Sequence, residues 1–185
     1  MDSDVIEVTN LNRQVLALHS TLGLPKVEVA RERARQINPG GIAEAHRVQL
    51  TPENIATVVP KTFDYAIDAI DTVDAKVALL TLLHERGVRL VSCMGTASKL
   101  DPTAIRVGDI SDTKGCPLAR IVRQGLRKAG IEDGIRCVFS EENLGQASEP
   151  DEHNGGRRRC GTISYIPGIA GLTAAGLIIK DILSV

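Results

Sequence analysis

The chain is poor in aromatic residues and has no excess of either charge. Its 185 residues include two Phe, two Tyr and no Trp, so stacking of aromatic side chains on bases cannot be a dominant means of nucleic-acid recognition. The formal net charge is -1. Binding of nucleic acid would therefore have to come from local basic clusters rather than from overall basicity.

The sequence also lacks the cysteine spacing of a metal or redox motif. Cys93, Cys116, Cys137 and Cys160 lie more than 20 residues apart and form no CxxC pair. This spacing argues against a zinc ribbon and against a thioredoxin-type motif. Reduced thiols in a cytosol-like compartment are the expectation.

Neither end of the sequence resembles a targeting or membrane segment. Asp2 and Asp4 lie where a secretory leader would be basic or apolar, so we do not expect secretion. The apolar run over residues 163–185 is interrupted by Pro167 and Lys180. These interruptions favour a buried core helix over a membrane span.

Short apolar runs alternate with amphipathic helical patterns along the chain. The strand-like runs are Val5 to Val8, Ala43 to Leu50, Tyr65 to Ile70, Val88 to Ser92, Ala104 to Val107 and Arg136 to Phe139. The main helices are predicted to start at Pro25, at Val73 and at Pro117. This order predicts an α/β, Rossmann-like fold, with a mostly parallel sheet and helices on both of its faces.

The chain is long enough for one sizeable core, and we expect a single domain over residues 1–185. Within it, residues 141–160 are polar and have no periodicity, which predicts a mobile loop.

Charged side chains lie where a nucleotide-binding site of such a fold would need them. Asp2 falls where an acid accepts hydrogen bonds from a ribose, and Arg13 and Lys26 can each neutralise phosphate oxygens. Asp71 ends an apolar strand, a position suited to a magnesium ligand. Taken singly, the cations are usually better explained as solvated surface residues.

Three further polar residues are open to a structural interpretation. Asp68 points differently from Asp71, and we expect it to cap or orient the loop that follows its strand. Asn10 and Asn12 either bind phosphate or stabilise a turn.

Three segments of the first half carry a family resemblance. DSDVIEVTNLNRQ, GLPKVEVARERARQINP and IDAIDTVDAK resemble the adenylating domain of the superfamily that includes ubiquitin-activating enzymes and bacterial activators of sulfur carriers. The resemblance implies ATP and magnesium (Mg²⁺) as cofactors and assigns each role to a position. The implied cofactor-binding residues are Asp2 for the ribose, Asn10, Arg13, Gln14 and Lys26 around the phosphates, and Asp71 for the metal. Arg13, Lys26 and Asp71 are also the implied catalytic residues.

The second half indicates the branch of that superfamily. LVSCMGTASKLDPTAIRVGDISDTKGCPLARIVRQGLRK, RCVFSEE and RCGTISYIPGIAGLTAAG resemble the tRNA threonylcarbamoyladenosine dehydratases. The resemblance implies that ATP adenylates the carboxylate of the threonylcarbamoyl group on a tRNA adenosine, and that cyclisation with loss of water follows. Cys160 matches a position that often holds a thiol in this branch, but an intramolecular cyclisation needs no cysteine nucleophile.

The resemblance also implies partners. Two arginine clusters are candidates for contact with tRNA phosphates, one on the helix that starts at Pro117 and one in the polar segment. They comprise Arg120, Arg123 and Arg127, and Arg157, Arg158 and Arg159. The family relation further implies a homodimer, and either a cytoplasmic location or association with the mitochondrial outer membrane.

The first strand and the glycine-rich turn of this superfamily are absent from the front of the chain. We therefore expect an N-terminally incomplete domain that binds ATP poorly and leaves two strand edges facing an open slot. Two other functions stay open: activation of a ubiquitin-like or sulfur-carrier C-terminus, which lacks support because no CxxC pairs are present, and a non-catalytic binding module.

Overall fold

A computed structural model describes residues 1–142 and 161–184. Its centre is a four-stranded sheet with strand order β1-β2-β4-β3. The strands are β1 (Tyr65–Asp68), β2 (Arg89–Cys93), β3 (Ile105–Asp109) and β4 (Arg136–Ser140). β1, β2 and β4 are parallel, and only β3 runs antiparallel. The predicted mostly parallel sheet is confirmed.

Helices lie on both faces of the sheet, as the alternating pattern predicted. They are α1 (Lys26–Ile37), α2 (Ile55–Val58), α3 (Val73–Glu85), α4 (Pro117–Lys128) and α5 (Tyr165–Leu183). α3 and α4 contribute to the larger hydrophobic cluster, which contains Leu80 and Val122. On the opposite face Ala170 and Ala174 of α5 contact Val91 and Val138. β2 is buried on both faces, since Leu90 packs in the larger cluster and Val91 in the smaller one.

The ends of α3 and α4 follow from local sequence. Pro117 occupies the first turn of α4, where a missing N–H costs nothing, and the Cys116 thiol accepts from the backbone N–H of Ala119. Gly87 follows α3 with φ of +65°, a conformation that glycine adopts without strain. Both helices begin at their predicted residues, Val73 and Pro117.

The predicted strand from Ala43 to Leu50 is wrong. The structure contains no strand there, and the segment is held by isolated bonds such as Asp2 N–H to His46 O at 3.2 Å. A strand needs a neighbour that supplies a ladder of hydrogen bonds, and no described residue pairs with it. Between this segment and β1 lies a cavity of about 510 Å³. Ile67 of β1 is 49% exposed.

The first strand-like run, Val5 to Val8, is also not a strand. Val5 makes a single antiparallel bridge with Pro25, and Val8–Asn10 forms a 3₁₀ turn. The run therefore fastens the start of α1 to the N-terminal segment instead of extending the sheet.

α5 is less buried than its apolar sequence predicted. It packs on the sheet through Ile166, Ala170 and Ala174, but Leu172 is 76% exposed. Among the described residues it is the one helix long and apolar enough to cross a membrane, with 17% of its apolar window buried. The prediction of a buried core helix holds for one face only.

The cysteines among the described residues are free thiols with little exposure. Cys137 is fully buried and Cys93 partly so. Burial raises the pKa of both thiols, an effect that nearby Lys76 opposes. Cys160 lies outside the described residues, as does most of the predicted mobile loop over 141–160.

Gly125 allows the close approach of α4 to α3. A Cβ at this position would lie 2.7 Å from Cγ2 of Val77. We expect Gly125→Ala to lower the free energy of unfolding by about 1–3 kcal/mol, because the clash outweighs the gain in helix propensity. Urea denaturation measures this change.

Gly176 of α5 is the matched control, since a Cβ there would meet nothing within 4 Å. Gly176→Ala should raise the free energy of unfolding by about 0.5–1 kcal/mol. Equal effects of the two substitutions would contradict the close packing of α4 on α3.

Candidate functional site

Five of the six predicted cofactor-binding residues line one cavity of about 850 Å³. They are Asp2, Arg13, Gln14, Lys26 and Asp71. The opposite wall is the start of α5, with Pro167, Gly168, Gly171 and Leu172. Sequence reasoning did not assign this wall, because an apolar helix carries no chemical signal for a polar ligand. The cavity thus joins two cations and two carboxylates that are up to 69 residues apart in sequence.

Lys26 is oriented by Asp4, a residue that sequence reasoning did not place in the site. Lys26 Nζ lies 2.8 Å from Asp4 Oδ2, with side-chain exposures of 15% and 62%. The backbone N–H of Lys26, the first residue of α1, donates to Asp4 O at 3.0 Å. An exposed pair of this kind adds little stability, so its main effect is to hold the ammonium in the cavity wall. The signal in the sequence was the spacing of two aspartates at positions 2 and 4.

One of the two carboxylate oxygens of Asp2 is already hydrogen-bonded within the N-terminal segment. Asp2 Oδ1 accepts the backbone N–H of Asp4 at 2.8 Å. Oδ2 has no hydrogen-bond partner among the residues that the structure describes. One carboxylate oxygen is therefore free to accept from a hydroxyl group in the cavity.

Asn10 stabilises a turn, the second of its two interpretations. It is 7% exposed, its Oδ1 accepts the N–H of Glu7 at 3.1 Å, and its carbonyl accepts from Arg13 N and Gln14 N. It does not line the cavity. The turn places Arg13 and Gln14, which do.

Arg13 uses one of its nitrogens within the same turn. Nη1 donates to Thr9 O at 2.6 Å and to Asn12 Oδ1 at 3.0 Å. Asn12 in turn donates to Thr162 O at 3.0 Å, which connects the turn to the residues just before α5. A guanidinium has five N–H donors, so donors beyond those on Nη1 are available to an anion.

Asp68 and Asp71, three residues apart, have different roles. Asp68 is 1% exposed, and its Oδ1 accepts the N–H of Ile70 at 2.9 Å, so it orients the loop as expected. Asp71 is exposed and lines the cavity. No group of three metal-ligating side chains exists among the described residues. A magnesium ion at Asp71 would therefore need phosphate or water oxygens for most of its ligands.

Lys76 is a buried lysine that the sequence did not reveal. It lies in the first turn of α3 with 0% exposure, and Nζ is 2.6 Å from Asp68 Oδ2. A lysine within a helix is expected at the surface, so only its partner in the folded chain accounts for it. Ser92 Oγ donates to the same Asp68 oxygen at 2.6 Å.

The arginines of α4 differ in their surroundings. Arg120 and Arg127 are exposed. The Arg123 guanidinium is instead bound within the protein, where Nη1 donates to Thr113 O at 2.8 Å and to Thr113 Oγ1 at 2.6 Å. Arg123 Nη1 thus has a structural role in this chain, and a tRNA contact at Arg123 stays a prediction. The second predicted cluster, residues 157–159, lies outside the described residues.

Comparison with known proteins agrees with this geometry. A model of the ThiF family matches residues 1–185. The tRNA threonylcarbamoyladenosine dehydratase of Bacillus subtilis is 35% identical over 201 residues, covering 99% of this chain and 76% of that relative. The crystal structure of the Escherichia coli tRNA threonylcarbamoyladenosine dehydratase in complex with AMP has a TM-score of 0.88 at 34% identity, covering 99% of this chain and 74% of that chain. Its complex with ATP has a TM-score of 0.86 at 34% identity, with the same coverage.

The turn role of Asn10 is open to a direct test. Asn10→Ala removes the acceptor of the Glu7 N–H, and we expect it to lower the free energy of unfolding by about 1 kcal/mol. Asn10→Asp keeps an acceptor oxygen and should lose less. Urea denaturation of both variants measures the difference, and an Asn10→Ala variant as stable as the unsubstituted chain would contradict the turn role.

Proposed function

We propose that this chain, which belongs to the ThiF family, is a tRNA threonylcarbamoyladenosine dehydratase that uses ATP. The main observation behind this proposal is that Arg13, Lys26, Asp2 and Asp71 line the same cavity. Two crystal structures of the Escherichia coli relative, one bound to AMP and one to ATP, share the fold of nearly the whole chain. Both the sequence motifs and this similarity support the same branch of the family.

The side chains of the cavity suit ATP and magnesium. Arg13 and Lys26 are cations that bind phosphate oxygens. Asp2 has an oxygen free for a ribose hydroxyl, and Asp71 is an exposed carboxylate of the kind that holds magnesium beside phosphates. Magnesium, when bound, would neutralise charge on the phosphates. Gln14 lines the same wall and could donate a hydrogen bond to the nucleotide.

The chemistry requires two displacements. A carboxylate oxygen of the threonylcarbamoyl group attacks the α-phosphorus of ATP, and pyrophosphate leaves. A carbamoyl nitrogen or oxygen then attacks the acyl carbon, AMP leaves, and the attacking group loses its proton. The tRNA base has lost one water in total. Because the second attack is intramolecular, holding the group in place contributes much of the rate.

The protein contributes charge and position to these steps. Arg13 and Lys26 stabilise the negative charge that develops on the phosphates in the first step. Asp4 keeps the Lys26 ammonium in the cavity wall, at 2.8 Å. The start of α5 closes the opposite side of the cavity, and its apolar surface limits the access of water to the activated carboxyl group.

The proposal predicts that Lys26→Met stops the first step. We expect a fall of about 100-fold or more in kcat/KM, as when one preorganised donor to a developing anion is removed. The assay follows AMP release and the loss of one water from tRNA, with the protein expressed from its own gene in its source cells. Lys61→Met, at an exposed lysine outside the cavity, is the control.

The outcome also separates the alternatives. Turnover of a sulfur-carrier C-terminus in place of the modified tRNA would support protein activation instead. Full tRNA conversion by Lys26→Met would contradict the assignment of the cavity. Absence of ATP-dependent turnover in the native protein would leave the non-catalytic module as the explanation.

We further propose that the exposed basic face of α4 contacts tRNA phosphates. Arg120, Arg127 and Lys128 are exposed on this helix, and their spacing of seven and eight residues places them on one side. Arg123 is left out of this surface because it is half-buried and its Nη1 is bonded to Thr113. Phosphate contacts position the RNA, while the cavity selects the modified base.

Arg120→Ala combined with Arg127→Ala tests this surface. The slope of log affinity for tRNA against log salt should fall by about 1 for each lost contact. The KM for ATP should stay constant. Arg35→Ala with Lys61→Ala removes two exposed cations outside α4 and serves as the matched control. An unchanged salt slope in the α4 variant would rule out this face.

Two associations are also proposed. A homodimer would cover the exposed apolar side of α5, where Ile179, Ile182 and Leu183 are 54%, 60% and 63% exposed. The same surface would suit contact with a membrane. The proposed location is therefore either the cytoplasm or the mitochondrial outer membrane, and cell fractionation distinguishes them.

A further inference from the structure

Lys76 is a buried cation that takes no direct part in the proposed reaction. Its Nζ donates to Asp68 Oδ2 at 2.6 Å, to Ile70 O at 3.0 Å and to Cys93 O at 2.9 Å. An ammonium group has three N–H donors, so each donor has one acceptor. The three acceptors come from the end of β1, the loop after it and the end of β2.

The carboxylate of Asp68 also has its hydrogen-bond partners within the protein. It accepts from Lys76, from Ser92 Oγ at 2.6 Å and from the N–H of Ile70 at 2.9 Å. Lys76 and Asp68 both have fully buried side chains. A buried ion pair is costly to desolvate, and apolar residues of similar volume often give equal or greater stability. Stability alone is therefore a poor explanation for this pair.

Two hydrogen bonds of this network hold the backbone of Ile70, the residue before Asp71. The N–H of Ile70 is held by Asp68 and its carbonyl by Lys76. The side chain of Asp71 makes no hydrogen bond or ion pair with any other described residue, although it lines the cavity. The backbone is thus what determines where the Asp71 carboxylate lies.

We infer that Lys76 is a positioning residue that sets the Asp71 carboxylate for a magnesium ion held with the phosphates of ATP. Lys76 itself is 0% exposed and does not line the cavity, so it acts only through the backbone of Ile70. The inference rests on the proposed function, because it assigns Asp71 to the metal. It adds that the geometry of the metal site depends on a charge pair outside the cavity.

The test removes both charges and keeps the volume, with Asp68→Leu combined with Lys76→Met in the full chain. Isothermal titration measures ATP affinity with and without magnesium. We expect the gain in affinity that magnesium provides to fall by about 10-fold or more, the usual effect of losing residues that orient a metal ligand. ATP affinity without magnesium should not change. Asp71→Asn should lose the same gain and is the positive reference.

If Lys76 had a purely structural role, the double variant would lose stability and keep the full effect of magnesium. Leu80→Val is the control for such a loss, because it alters a fully buried residue of α3 outside the network and should lower stability without changing the magnesium dependence. Ser92→Ala removes one bond to Asp68 and leaves the ion pair in place. Its expected effect is a smaller loss in the same direction as the double variant, and it replaces the double variant if that protein does not fold.

Three outcomes would overturn the inference, and they are distinguishable. A full magnesium effect in the double variant, or in Ser92→Ala when that replaces it, with a lost effect in Asp71→Asn, would remove the role of Lys76 and leave the proposed function intact. A full effect in Asp71→Asn would remove the metal role of Asp71 and with it the inference. Absence of ATP binding by the unsubstituted native protein, expressed from its own gene in its source cells, would reject the proposed function as well.

Discussion

The buried ion pair between Lys76 and Asp68 joins the three elements that the site depends on. The pair lies 2.6 Å apart and binds the end of β1, the end of β2 and the first turn of α3 to one another. Parallel pairing of β1 with β2 brings their carboxyl ends to one edge of the sheet, and loops at that edge carry the ligand-binding groups of such folds. Removal of one charge alone would leave the other buried without a partner, at a cost of several kcal/mol.

The other half of the site comes from the N-terminal segment, which has little regular structure. Its position depends on single hydrogen bonds, such as Ile6 N–H to Leu24 O at 2.9 Å, and on the turn built by Asn10. Asn12 connects this turn to Thr162, next to α5. The cations of the cavity are thus placed by single hydrogen bonds within and from an irregular segment, whereas Asp71 is placed by the sheet and its buried charges.

This division suits an adenylating reaction. Displacement at a phosphate needs position and charge more than it needs a covalent intermediate with the protein. Among the described residues, those that line the cavity include no cysteine, and the reaction requires none. In the proposed function, the exposed cations of α4 would contact the RNA phosphates.

Local sequence determined the helix boundaries at Pro117 and Gly87, because caps and turns act over a few residues, and the alternation of strand and helix patterns indicated a mostly parallel sheet. The residues that share the cavity were indicated by the family resemblance. Only the tertiary structure decided that residues 43–50 form no strand, since a strand exists only with a partner. It also decided that Arg123 binds Thr113 and that Lys76 is buried, because the groups that bind these two side chains come close to them only in the folded chain. The sequence listed the charges of the site, and the folded chain determined which of them face a ligand and which face one another.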